Sequence, residues 1–194
     1  MSKQTRSVPF IDYLWSLVEK GDRGALADLR KGLGKPIASD IKSYRYIAPW
    51  ISENDHGTWK EKVNYIVAPL FAYYQSGSTS DKSDRHAVMG NLGDHLREAG
   101  KEEKNTDSIE RRFIALISAH ADDLPIYLKQ IISILKSKNV EINWEQLYSD
   151  LLNWNRPSQS TQKNWAYSYW GSQALETTNP PSGGVPFIEN NQGD

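Results

Sequence analysis

Apolar residues along this chain recur at spacings of three and four, the period of an amphipathic helix, nearly from end to end. Val8, Ile11, Leu14, Trp15 and Val18 predict a first helix, with Ser7 as its cap, Pro9 in its first turn and Gly21 at its end. Asp22 caps a second helix that carries Leu26, Leu29 and Leu33 on one face and is closed by Gly32 and Gly34. A short helix from about Ile41 to Ile47 stops before Pro49. Thr58 and Glu61 have capping-box spacing ahead of Val63, Ile66, Val67, Leu70 and Phe71, a stretch that Pro69 should kink or break. The run from Gln75 to Asp84 is a polar, exposed loop. A helix from Arg85 to Glu98 follows, ended by Gly100, and then the charged run Lys101–Asn105, a candidate domain boundary.

Beyond that boundary the helical signals strengthen. Asp107 and Glu110 again have capping-box spacing, and Ile109, Phe113, Leu116 and Ile117 form one stripe. Asp122 precedes a helix with Leu124, Leu128, Ile131 and Leu135 in line and Pro125 in its first turn. Asn143 and Gln146 cap a helix bearing Leu147, Leu151 and Trp154, and a last helix spans about Ser158 to Gly171. No run of alternating β-branched residues competes. The fold class is therefore all-α: two small helical domains, residues 1–105 and 106–176, and a disordered tail over 177–194 rich in Pro, Gly, Asn and Ser.

Composition narrows the function. The chain has 194 residues, 38% of them hydrophobic, which is enough for a core. No stretch approaches the roughly 18 to 20 consecutive apolar residues of a spanning helix, and Asp12 and Glu19 interrupt the N-terminal apolar residues. A soluble, cytoplasmic protein without membrane contact is expected. The absence of cysteine excludes a disulfide scaffold, a thiolate zinc site and a cysteine nucleophile. The formal charge of −1 speaks against a phosphate-binding partner until it is divided along the chain. Residues 1–50 carry nine Lys and Arg against five Asp and Glu, whereas residues 51–110 carry seven against eleven. Neutrality here is a cancellation.

Little in the sequence reads as catalytic. His86 and His95 are nine apart, on opposite sides of a helix, so they do not converge on a metal. In His120-Ala-Asp-Asp123 the carboxylates are better explained as a helix cap than as partners of a hydrolytic metal with His120. There is no G-x-S-x-G elbow and no phosphate loop. No cofactor and no enzyme activity are expected.

The cations are more informative. Arg30 and Lys31 lie at a helix end, with Lys35, Lys42 and Arg45 close behind. Arg111 points almost opposite the Ile109/Phe113/Leu116 stripe and Arg112 flanks it, while Lys129 and Lys136 share a face of the next helix. Packed side by side, those two helices could expose a four-charge strip suited to a phosphate backbone. The alternative is a solvated face, or a scaffold that docks acidic protein. Trp144, Trp154, Trp165, Trp170, Tyr148, Tyr167 and Tyr169 concentrate in the last two helices, where they form a core or stack on bases, with core favoured.

Several ordered segments resemble the CasB family. They are Leu29-Arg-Lys-Gly-Leu-Gly34, Ser108-Ile-Glu-Arg-Arg-Phe-Ile-Ala-Leu-Ile117, Asp123-Leu-Pro-Ile-Tyr-Leu128, Ile142-Asn-Trp-Glu-Gln-Leu-Tyr-Ser-Asp-Leu-Leu-Asn-Trp154 and Gln162-Lys-Asn-Trp-Ala-Tyr-Ser-Tyr-Trp170. CasB is the small subunit of the type I-E CRISPR surveillance complex, Cascade. The resemblance implies a non-catalytic protein of two helical domains, present as a pair beside the backbone and large subunits and the guide RNA. It implies a basic face that holds target and displaced (non-target) DNA strands and stabilises the R-loop in antiviral defence. Carried over by motif, it supports Arg30, Lys31, Arg111 and Arg112. Arg45, Lys129, Lys136, Arg156 and Lys163 follow from helix-face geometry and the family's general character. Family members tend to be richer in arginine than this chain.

Overall fold

The computed structural model describes residues 8–36, 39–77, 88–101 and 106–177, the last six of these as backbone alone. The expected Ser7 cap, most of the polar loop, the first three residues of the helix expected from Arg85, His86 among them, residues 102–105 of the charged run and the tail from 178 on lie outside them. Among the described residues there are nine α-helices, short 3-10 turns and no strand, as the apolar periodicity predicts.

The N-terminal part begins with α1 (Pro9–Glu19), α2 (Arg23–Arg30) and α3 (Ile41–Ile47). Pro9 occupies the first turn of α1 and Gly21 ends it at φ +65°, a conformation that side chains resist. Asp22 accepts the Ala25 amide at 2.9 Å and so caps α2. Next comes α4 (Trp59–Tyr74), whose residues 63–72 are all buried, Asn64 and Pro69 included. A helix apolar on every side belongs in the interior, and α2, α3, α7 and α8 pack around it. The C-terminal part is α5 (Leu92–Gly100), α6 (Asp107–Ile117), α7 (Leu124–Ser137), α8 (Trp144–Leu152) and α9 (Ser160–Thr177).

Pro69 does not break α4. It has no N–H for the Tyr65 carbonyl, but its ring packs closely on Gly32, where a Cβ would lie 3.2 Å from Pro69 Cγ. The turn that follows α2 thus packs directly on this proline.

Three expected caps take other forms. Thr58 Oγ1 donates to the Asp55 carbonyl (2.7 Å) and Glu61 accepts the Gly57 amide, so each serves the turn ahead of α4. Asp107 lies inside α6 behind Thr106, and no side chain caps that end. Neither Asp122 nor Asp123 makes a cap bond to α7, since Asp122 sits in a 3-10 turn and reaches Lys62 instead. Asn143, by contrast, caps α8 by accepting the Gln146 amide at 2.9 Å.

One continuous core spans helices on both sides of the charged run. Phe71 of α4 meets Trp15 and Trp144 edge to face at centroid distances of 5.0 and 5.2 Å. Tyr148 donates to Asn64 (2.8 Å), Tyr74 to the Val140 carbonyl (2.8 Å) and Trp59 to the Leu151 carbonyl (2.7 Å). Polar atoms at the ends of buried aromatics therefore set how α7 and α8 seat on α4.

An especially close helix approach joins α5 to α9. Asn91 and Asp94 form a capping box at the start of α5, and Asn91 Nδ2 also donates to Ser168 Oγ at 2.8 Å. A Cβ on Gly93 would stand 2.1 Å from the Trp165 carbonyl oxygen, a backbone atom that cannot turn aside. Gly93→Ala is expected to destabilise the fold by at least about 2 kcal/mol, read as a lower urea midpoint with an unchanged m-value. Gly171→Ala, at a helical position with open space around it, is the contrasting control and should not lower the midpoint.

Candidate nucleic-acid interface

Helix α2 ends at Arg30, and the turn behind it runs through Gly34 at φ +79°. That turn leads the chain against α7: the position a Cβ would take on Gly34 is 3.7 Å from Lys129 Nζ. Helix α6 also packs along α7. As a result Gly34, Arg112, Lys129, Ser133 and the isoleucines Ile126 and Ile134 line one open groove. Arg30 stands near enough to Lys136 for the two positive charges to repel. Among the described residues neither Arg30, Arg112 nor Lys129 belongs to an ion pair, and all three are exposed.

Of the four charges expected to form a strip on α6 and α7, two share the groove. Arg112 also receives local support, donating to Ser108 Oγ at 3.0 Å one turn back. Arg111 does not line the groove, and its Nε reaches the Asp107 carbonyl at 3.3 Å. Lys136 turns inward. Its ammonium donates to the Tyr73 carbonyl (2.6 Å) and to Ser76 Oγ (2.7 Å) and lies 4.7 Å from the centre of the Tyr73 ring. Burial, and after it the Arg30 charge, hold that ammonium below the ordinary lysine range. A cation on the last carbonyls of α4 complements the helix dipole, so Lys136 joins α7 to α4.

The cations around α3 are organised by one carboxylate. Asp28 takes Lys31 at 2.9 Å and Arg45 at 2.7 Å, and Arg45 lies over the Tyr46 ring at 4.6 Å. Lys31's hydrogen bond first, then the charges of Lys31, Arg45 and Lys42, hold the Asp28 carboxyl below its usual range. Lys35 pairs with Asp40 at 2.7 Å. These residues are partly neutralised where they stand. Arg156, in the turn before α9, and Lys163, in its first turn, are exposed and lie outside the groove.

The aromatics divide. Trp144, Trp154, Trp165, Tyr148 and Tyr169 are buried, and half-buried Trp170 donates to Glu110 at 2.9 Å. These form core, as favoured. Tyr167 is 73% exposed.

Among the described residues the histidines show no metal geometry. His95 is buried and accepts the Asn143 amide at 3.3 Å, while exposed His120 has as neighbour in sequence an Asp122 that is paired with Lys62 at 3.1 Å. Among the described residues no three His, Asp or Glu converge on a point. Ile126 and Ile134 of the groove were missed as site residues, yet a signal existed: both fall off the Leu124/Leu128/Ile131/Leu135 line at about 100° per residue.

The profile of the family CRISPR-associated protein Cse2 matches residues 25–170, and the chain belongs to that family. It is 29% identical over 168 residues to the CRISPR-associated protein Cse2 of Thermus thermophilus, covering 86% of this chain and 91% of that protein. The crystal structure of M. ruber CasB superposes with a TM-score of 0.70 at 28% identity, over 92% of this chain and 98% of that one. A chain of a CRISPR RNA-guided surveillance complex shares the fold at a TM-score of 0.65 and 24% identity, over 87% of this chain and 97% of that one. The family expected from the ordered motifs is the family found.

Two expectations follow for groups near the site. Lys136→Met removes the donors that hold α4's end while keeping much of the stem. It should lower stability by about 1–2 kcal/mol, measured by urea unfolding. Burial lowers the His95 pKa from 6.5, so the native state binds fewer protons there than the unfolded chain. Stability from His95 is thus present above pH 6.5 and lost as pH falls through that value. The drop in urea midpoint between pH 7.5 and pH 5.5 should be smaller in His95→Gln, which keeps an acceptor for Asn143.

Proposed function

We propose that the chain is a non-catalytic subunit of a Cascade-type CRISPR surveillance complex, holding DNA strands so that the R-loop persists. Its partners are the backbone and large subunits, a second copy of itself, the guide RNA complex and the target and non-target strands, all in the cytoplasm. The observation that carries this reading is the open groove lined by both Arg112 of α6 and Lys129 of α7. Membership of the Cse2 family and the fold shared with a chain of a surveillance complex support it.

The energetics ask little of such a groove. Forming an R-loop exchanges one duplex for another of similar stability, so a few phosphate contacts suffice to bias it. Cations that meet only phosphates release counterions and read no sequence. Arg30, Arg112 and Lys129 form the centre of the interface. Lys31, Arg45, Arg111, Arg156 and Lys163 extend it, and Lys136 serves it by fixing α7 to α4.

The test is salt dependence. Arg112→Ala with Lys129→Ala should lower the slope of log K against log salt for single-stranded DNA by about 1.4, at roughly 0.7 per phosphate lost. Thermal stability should stay near wild type, because both side chains are exposed. An unchanged slope would sink the assignment. A scaffold that docks only protein predicts no salt-dependent retention of DNA at all.

A further inference from the structure

Of the aromatics that crowd α8 and α9, Tyr167 alone has no place in the core: its ring enters none of the stacked pairs around Trp154, Trp165, Tyr169 and Trp170. Among the described side chains of α9 it is the most exposed of the large apolar ones, at 73%. Its neighbours on the same face are distinctive. Lys163 lies one turn before it and is exposed, without an ion pair among the described residues. Gly171 lies one turn after it, with nothing within 4 Å of where a Cβ would stand. Residues four apart stack along one helix face, so the order along α9 is a cation, an exposed ring and an open glycine. Arg156 precedes this row, in the turn whose residue Gln159 accepts the Lys163 amide at 3.0 Å.

That face is fixed. Ser168, next to Tyr167, receives Asn91 Nδ2 at 2.8 Å and its carbonyl receives Arg97 at 2.9 Å, while Trp165 donates to Asp150 at 2.6 Å. The other side of α9 is clamped to α5 and α8, so the ring is presented on a rigid support. A phosphate-reading surface needs no such ring. An exposed aromatic beside a free cation suits an unpaired base, because every base has a π-face and carries a phosphate on the same nucleotide.

We propose that Lys163, Tyr167 and Gly171 form a stacking subsite for one unpaired nucleotide: the base lies on the Tyr167 ring over the bare Gly171 turn and the phosphate meets Lys163. The subsite rests on the nucleic-acid reading above and sharpens it, because it makes this part of the surface selective for single strands. Duplex DNA, its bases stacked and paired, offers the ring nothing.

The test compares the full-length chain with Tyr167→Ala and Tyr167→Phe, using fluorescence anisotropy with labelled oligothymidylate and an abasic oligomer of equal length. Wild type should bind oligothymidylate about five- to tenfold more tightly than the abasic strand, within the range of one base stacked on one ring. Tyr167→Ala should abolish that preference and leave the salt slope intact, and Tyr167→Phe should keep it. Lys163→Ala should weaken both strands alike and lower the slope by about 0.7. Equal binding of the two strands by wild type, or a preference that survives Tyr167→Ala, overturns the subsite. The wider reading fails by a different sign, a salt slope indifferent to Arg112 and Lys129. A ring that contacts another protein instead would show no base preference in any variant.

Discussion

From Val63 to Ala72 helix α4 has no polar face, and the rest of the structure is arranged to cover that stretch. Ten consecutive residues from Val63 to Ala72 are out of solvent, so the helix must be wrapped on every side. The turn after α2 closes on it where Gly32 meets Pro69, α1 through Trp15, and α8 through Trp144 and Tyr148. Helix α7 is tied to it twice, by Tyr73 to Ser133 and by Lys136 to the carbonyl end. Since α7 carries Lys129 and receives α6 with Arg112, the position of both groove cations follows from how α7 seats on α4.

Charge is organised by the same packing. The sequence sums to −1, yet the exposed cations fall into groups with different tasks. Around α3 a single carboxylate, Asp28, gathers Lys31 and Arg45. In the groove no acid is available to Arg112 or Lys129 among the described residues, so their field reaches solvent. Lys136, seven residues from Lys129 and on the same face by sequence, meets the end of α4 and is committed to structure. A surface charge is available for a partner only where the fold has left it unpaired.

Much of the fold was legible in residue order. The apolar lines of α1, α6, α7 and α8 lie in the core, Asp22 and Asn143 cap as their positions predict, and Gly21 ends α1. The errors have separate causes. Asp122 pairs with Lys62, sixty residues away, while Thr58 and Glu61 serve the turn just before α4; at Pro69 the helix continues beside Gly32 without breaking. The start expected for α5 at Arg85 shifts to Leu92, where Asn91 and Asp94 cap it in a way apolar spacing cannot show. For the site, the cation-bearing segments were legible as motifs, while their grouping was not.

Period and punctuation are properties of neighbouring residues, and they were enough to indicate the helical elements and their order among the described residues, while the family followed from ordered motifs that resemble CasB. Which charges share a groove, which lysine turns inward and which aromatic stays out of the core depend on residues tens of positions apart. Lys136 meets Tyr73 across 63 residues, and Gly34 meets Lys129 across the whole of α4. Side chains of one helical face are equivalent until a second helix packs against part of it, and that contact is made only when the chain folds.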